Sequence, residues 1–221
     1  MPDPIPQPDF TAARNLMVDG QLRPNKVSHP RILAAMRRLP REHFVPAALS
    51  AFAYIDDDLK IAPGRALCKP LVLARLIQLA APREGETALV VGAGTGYGAA
   101  VLAACGMHVT ALEEDPALVA QGRQAVAGAP VAFVTGRLAD GWADGAPYDL
   151  VLIEGAVRAI PERLARLVSQ HGRLVTVLAP AGAVSVAVLA EPTTGGLSVR
   201  PAFDAAAPLL PQLLPAPAFQ F

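Results

Sequence analysis

Four short apolar runs, at 88–91, 109–112, 131–134 and 150–153, recur along the middle of this chain. Runs of this length without polar alternation predict strands buried on both faces. Between them, 98–105 is small and helical, and 116–127 reads as a second helix. Another helix is expected over 160–169, after which His171 and Gly172 lead into a fifth strand at 173–178. Apolar strands separated by helices predict a parallel sheet covered on both sides. Two last strands, near 183–189 and 197–203, are parted by Pro192-Thr193-Thr194-Gly195-Gly196. That turn-rich spacer predicts an antiparallel pair at the end of the sheet. The fold class is α/β: a doubly wound, mostly parallel, seven-stranded Rossmann-like sheet.

Before the first strand the pattern changes. Residues 10–20 have a short helical period, and Ser28 is placed to cap a helix in which Pro30 falls in the first turn. Ile32, Leu33, Met36 and Leu39 recur at helical spacing until Pro40 stops them. Residues 41–70 hold Pro46, Pro63, Gly64 and Pro70 and read as loops with short helices; 71–80 is again helical, ending before Pro82. Four prolines in the first eight residues predict a poorly ordered start, and the proline-rich last 18 residues an extended tail packed on the body. The chain divides into a helical and loop extension at 1–81, a Rossmann-like domain at 82–203 and a tail at 204–221.

Charge narrows the partners. Nineteen basic and nineteen acidic residues balance, which argues against a domain built on nucleic acid. Arg14, Arg23, Lys26, Arg31, Arg37, Arg38 and Arg41 crowd the start, but their helical spacing predicts a solvated face. Cys68 and Cys105 form no framework, no signal peptide is legible, and 175–190 falls short of a bilayer span; the cytoplasm is expected, with no membrane partner. His29, His43, His108 and His171 have no metal-like spacing, so no metal is expected.

The strongest chemical signal is Gly92-Ala93-Gly94-Thr95-Gly96-Tyr97-Gly98, where a strand ends in glycines and opens a helix. Glycines there let backbone approach a ligand and aim free N–H groups at it. Tyr97 breaks the GxGxxG dinucleotide spacing. The alternatives are a plain tight turn, a nicotinamide dinucleotide site, and an S-adenosylmethionine (SAM) site with Glu113, 17 residues after Gly96, accepting both ribose hydroxyls. Placement of Glu113 at the end of the next strand favours SAM. Trp142 and Tyr148 flank a loop and are read as packing residues, with an edge of the adenine pocket as the alternative for either.

Several blocks carry a resemblance. Leu16-Met17-Val18 before Gln21-Leu22-Arg23, then Pro40-Arg41-Glu42-His43-Phe44-Val45-Pro46, is similar to the N-terminal extension of protein-L-isoaspartate O-methyltransferases. Gly94-Thr95-Gly96-Tyr97, Ala146-Pro147-Tyr148-Asp149, Ile160-Pro161 and Gly172-Arg173-Leu174-Val175 resemble the family further, so that roughly 10–180 is covered. The resemblance implies the SAM-methyltransferase form of the sheet. It also implies transfer of a methyl group from SAM to the carboxylate of an isoaspartyl residue in a damaged protein or peptide, or to a small carboxylate.

Site residues carried over from the family are Gly92, Ala93, Gly94, Gly96, Tyr97 and Glu113 for the cofactor, with Leu67, Arg137 and Leu138 beside them. Cys68 stands at the family's catalytic serine and Ala66 at its threonine, with Ala66 and Glu154 facing the substrate. A thiol is a weaker hydrogen-bonding group than a hydroxyl. With the hydroxyls missing at Ala66 and Cys68 and a carboxylate added at Glu154, weak or absent transfer to an isoaspartyl peptide is expected. Arg137 replaces an adenine-binding aspartate and either stacks or points to solvent. The alternative, from another class, is a SAM-binding or interaction module that has lost turnover, favoured by the joint changes at Ala66, Cys68, Arg137 and Glu154.

Overall fold

The computed structural model describes residues 9–214; the proline-rich start and the last seven residues lie outside the described residues. Helix α1 (Phe10–Leu16) is capped by the Asp9 carboxylate, which accepts from Ala12 N–H at 2.9 Å, and runs on through a π-helical turn at Met17–Leu22. Helix α2 (Pro30–Arg38) buries Ile32, Ala35 and Met36, three positions on one face. Its N-cap is His29 and not Ser28, and no side chain of its own caps it. The amide oxygen of Gln78 accepts from both Ser28 and His29 N–H groups, at 2.7 and 3.0 Å, so a distant residue does the expected work of the serine.

The stretch read as loops contains a hairpin. Strands β1 (Leu59–Ala62) and β2 (Arg65–Leu67) pair antiparallel around Pro63-Gly64, with Gly64 at φ 68°. Pro followed by a positive-φ glycine is the central pair of a type II turn. Helix α3 (Pro70–Ala80) starts on proline and ends at Ala81, left-handed at φ 48°, just before Pro82.

The seven-stranded sheet then forms from β3 (Thr87–Val91), β4 (His108–Glu113), β5 (Val131–Thr135), β6 (Tyr148–Val157), β7 (Val168–Leu178), β8 (Val186–Thr193) and β9 (Gly196–Asp204). Its order is β5-β4-β3-β6-β7-β8-β9, parallel from β5 to β7 and antiparallel over the last two pairs. Side chains alternate between two buried faces. Ala88 and Val90 join a core that also holds Met17, Ile32, Phe44, Leu73 and Val101, so the N-terminal extension shares one core with the sheet. Leu89 and Val91 face a second cluster with Leu138, Tyr148, Leu164 and Leu210.

Helix α4 (Tyr97–Ala104) is buried all round, which its small apolar sequence allows, and α5 (Pro116–Ala125) is capped by Asp115. The helix expected over 160–169 shrinks to α6 (Glu162–Ala165). Strand β7 begins at Val168, five residues earlier than expected, because Val168 pairs with Tyr148. In the described part of the tail Leu209 bridges to Ala156 of β6, and the stretch expected to be extended turns into a 3-10 helix at Pro211–Leu213.

Candidate cofactor site

Strands β3, β4 and β6 end side by side where the sheet order reverses, since β4 and β6 both flank β3. Open α/β sheets hold ligands in the crevice at such a switch point. The loop from β3 into α4 runs through Gly92, Gly94 and Gly96 at φ 74°, 56° and 88°. At Gly94 a side chain is excluded twice, by that backbone and because a Cβ would stand 2.9 Å from Ile61 Cδ1. Thr95 Oγ1 donates to the Phe44 carbonyl at 2.6 Å and ties the loop to the N-terminal extension. Ala93 is buried between them.

Glu113 ends β4 at 0% exposure. Its Oε2 accepts from Gly94 N–H at 2.8 Å and from Arg65 at 2.7 Å. Its Oε1 accepts from Glu114 and Asp115 N–H at 2.9 and 3.3 Å. Both oxygens expected to receive ribose thus have partners within the chain. Arg65 is the residue that sequence reasoning missed. It sits at the start of β2, buried, and its Nη2 also donates to the Gly92 carbonyl at 2.7 Å. Its Nε and Nη1 are buried with no partner. The Pro63-Gly64 turn was the available signal, because it sets β2 back against β1.

Leu210 fills the crevice as well. A Cβ on Gly92 would stand 3.2 Å from Leu210 Cδ1. The segment is held by Ala156 N–H donating to the Pro208 carbonyl at 2.7 Å and Leu210 N–H to the Ala156 carbonyl at 3.0 Å.

Glu154 lies in β6 where the register against β7 shifts between Leu152 and Ala156. Bulges of this kind re-aim a side chain. Here the Glu154 carboxylate packs on Gly98, leaving no room for a Cβ, and its Oε2 is buried without a partner. Burial pushes its pKa up to about 8, against the pull of Arg41 and Arg65. The acid is mostly neutral at pH 7, so it does not repel an anion there.

Arg41, expected on a solvated face, has 0% exposure. Its Nε and Nη2 each donate at 2.7 Å, to the Ala53 and Cys68 carbonyls, and its guanidinium lies 4.7 Å from the Tyr97 ring centroid. These acceptors and the aromatic face replace water for the charge. Arg41 Nη1 and Tyr97 Oη are buried without partners.

Leu67 and Cys68 are buried, and burial drives the Cys68 thiol pKa well above its ordinary range. The backbone carbonyl of Cys68 is its polar contribution. Ala66 is half-buried beside Arg65. Arg137 points to solvent, its side chain 78% exposed, whereas Leu138 is buried and its N–H donates to Glu114 at 2.9 Å. Tyr148 donates to the Trp142 carbonyl at 3.0 Å, which makes the pair a packing unit. Among the described residues no group of His, Cys, Asp or Glu could hold a metal ion, and no helix is long and apolar enough to cross a membrane.

Residues 13–194 match the profile of the protein-L-isoaspartate(D-aspartate) O-methyltransferase family. A relative from Methylorubrum extorquens, named protein-L-isoaspartate O-methyltransferase, is 41% identical over 179 residues, 80% of this chain and 78% of its own. One of the same name from Methanospirillum hungatei is 37% identical, over 76% and 78%. A solved protein-L-isoaspartate O-methyltransferase superposes with a TM-score of 0.75 at 21% identity, over 88% of this chain and 64% of its own. A Plasmodium falciparum structure, described as a putative enzyme of that name in complex with S-adenosyl-L-homocysteine, gives 0.76 at 16% identity, over 93% and 100%. The last two likenesses concern the fold.

Proposed function

This chain belongs to the protein-L-isoaspartate(D-aspartate) O-methyltransferase family, and from that premise we propose that it methylates isoaspartyl carboxylates of damaged proteins or peptides using SAM. The observation that carries the reading is Glu113, a buried carboxylate at the end of β4 joined through Gly94 N–H to a positive-φ glycine loop. That donor set suits an adenosine ribose on one side and a backbone-lined methionine on the other. The residues fit the group in kind, and Arg65, Ile61 and Leu210 pack against the same loop and carboxylate.

Gly92, Gly94 and Gly96 would shape the methionine side, with Ala93, Tyr97 and Leu67 around it, Glu113 would hold the ribose, and Leu138 would stand at the adenine end. When bound, SAM supplies a methyl group on a sulfonium, which an acceptor carboxylate oxygen takes while the S–C electron pair stays on sulfur. A carboxylate needs no base for this, so the chain's task is to place an anion beside a cation in a dry site. Cys68, with its thiol held protonated, supports the wall and not a covalent step. Family membership favours this enzyme over the turnover-free module. Two buried free cysteines accord with a reducing compartment, the cytoplasm.

Calorimetric titration with SAM and with S-adenosylhomocysteine, followed by transfer of labelled methyl to an isoaspartyl peptide, tests the reading. Binding of both and label in the peptide are expected. Absence of binding would remove the cofactor site and the function with it.

A further inference from the structure

A guanidinium carries five N–H donors, and Arg65 uses only two, both on Nη2. The three on Nε and Nη1 are buried without an acceptor, a costly arrangement for a charged group. Its hold on Glu113 is therefore through one nitrogen and not a bidentate fork. Around it the charge is unbalanced. Arg41 is buried with a free Nη1, and the carboxyl that feels both arginines, Glu154, is mostly neutral and has a free Oε2. Among the described residues Glu113 is the one carboxylate hydrogen-bonded to either arginine, so the remaining donors have no anion.

A groove of about 260 Å³ runs between the β1–β2 hairpin and the tail segment, lined by Lys60, Ala62, Arg65, Ala66, Pro208 and Leu209. Lys60 and Ala66, paired across the hairpin, form part of its wall, and Arg65 also lines it although its side chain is only 3% exposed.

Resting on the function proposed above, we infer that Arg65 is the specificity-determining residue that receives the acceptor carboxylate, and that Glu113 stores it until the cofactor binds. Glu113 exchanges Arg65 for ribose hydroxyls. The released guanidinium, buried and without a counter-charge, then pairs with a carboxylate arriving through the groove. Oxygen of that carboxylate forms the O–CH₃ bond with its own lone pair, and the S–C pair remains on sulfur. No proton moves, and the product is a neutral ester. Arg65 loses its anion and returns to Glu113. Binding is ordered, cofactor before acceptor, and each ligand tightens the other.

The test is the sign of two affinities in Arg65→Gln. Calorimetry with S-adenosylhomocysteine reads the first, and anisotropy of a fluorescent isoaspartyl peptide, with saturating S-adenosylhomocysteine, reads the second. Removing the stored ion pair should tighten the cofactor product about tenfold, and losing the anion partner should weaken the peptide about tenfold. Wild-type protein should hold the peptide only when S-adenosylhomocysteine is present. A merely structural arginine would shift both affinities the same way in a protein whose melting is lowered, and that result overturns the inference. Unchanged peptide affinity with normal cofactor-product binding overturns it alone. Failure of wild type and variant alike to bind S-adenosylhomocysteine overturns the proposed function too. Should Arg65→Gln not fold, Arg65→Lys keeps the charge without the planar donors and is expected to show smaller shifts of the same two signs.

Discussion

Glu154 and Gly98 meet with no room for even a methyl group between them, and the carboxyl is sealed in with one oxygen unpartnered. Burial raises its pKa to about 8, above the ordinary 4.5. The neutral form is favoured in the folded state, so its contribution to stability is complete below about pH 4.5 and is lost as pH rises towards 8. Glu154→Gln keeps the shape and removes the titration. Melting of the wild type relative to this variant should fall between pH 5 and pH 9, by a difference on the order of a few kcal/mol. A constant difference across that range would place the carboxyl in water.

Glu113 carries the next prediction. Glu113→Ala would leave Arg65 buried without its counter-charge, which costs about 3–5 kcal/mol of stability. Glu113→Gln keeps the size but turns an amide NH2 towards N–H groups that the carboxylate accepted, so its melting is checked before its affinity is read. Loss of hydrogen bonds from a charged acceptor, worth about 1.5–3 kcal/mol, should weaken SAM tenfold or more. Calorimetry with unchanged affinity in a folded variant would reassign the ribose.

Gly94 faces two constraints at once, a φ of 56° and the Ile61 methyl 2.9 Å from any added Cβ. A β-branched side chain at positive φ is a backbone outlier. Gly94→Val should abolish SAM binding and lower the melting temperature while the circular dichroism keeps its α/β form. Retained affinity would mean the ligand sits away from this loop.

Cys68 and Cys105 are both buried, and burial raises their thiol pKa, that of Cys105 to about 11. A thiol reagent at pH 8 should modify neither in the native protein and both after denaturation. Rapid native reaction of Cys68 would reopen a nucleophilic role.

The central sheet was legible because its strands are buried on two faces and so read as unbroken apolar runs, as in Ala88-Leu89-Val90-Val91. The glycine loop was legible because positive φ restricts residue choice. The β1–β2 hairpin was not, since Leu59–Ala62 is only four residues long and includes Lys60. Its turn pair, Pro63-Gly64, was the readable part. Arg41 shared its spacing with six other basic residues, and nothing local separates it from them. What buries it are carbonyls of Ala53 and Cys68, 12 and 27 residues away, which exist as acceptors only after folding. The Arg65–Glu113 pair spans 48 residues for the same reason.

Strand β9 has a partner on one side only, and its residues are largely exposed. An open strand edge is a template on which another extended chain can add. Here Pro201 withholds an N–H, the register slips beside it between Ala187 and Val188, and Arg200 is paired with Glu191 at 2.5 Å across the rim. This border offers such a chain a broken ladder and charge, which opposes strand addition at the edge of the sheet.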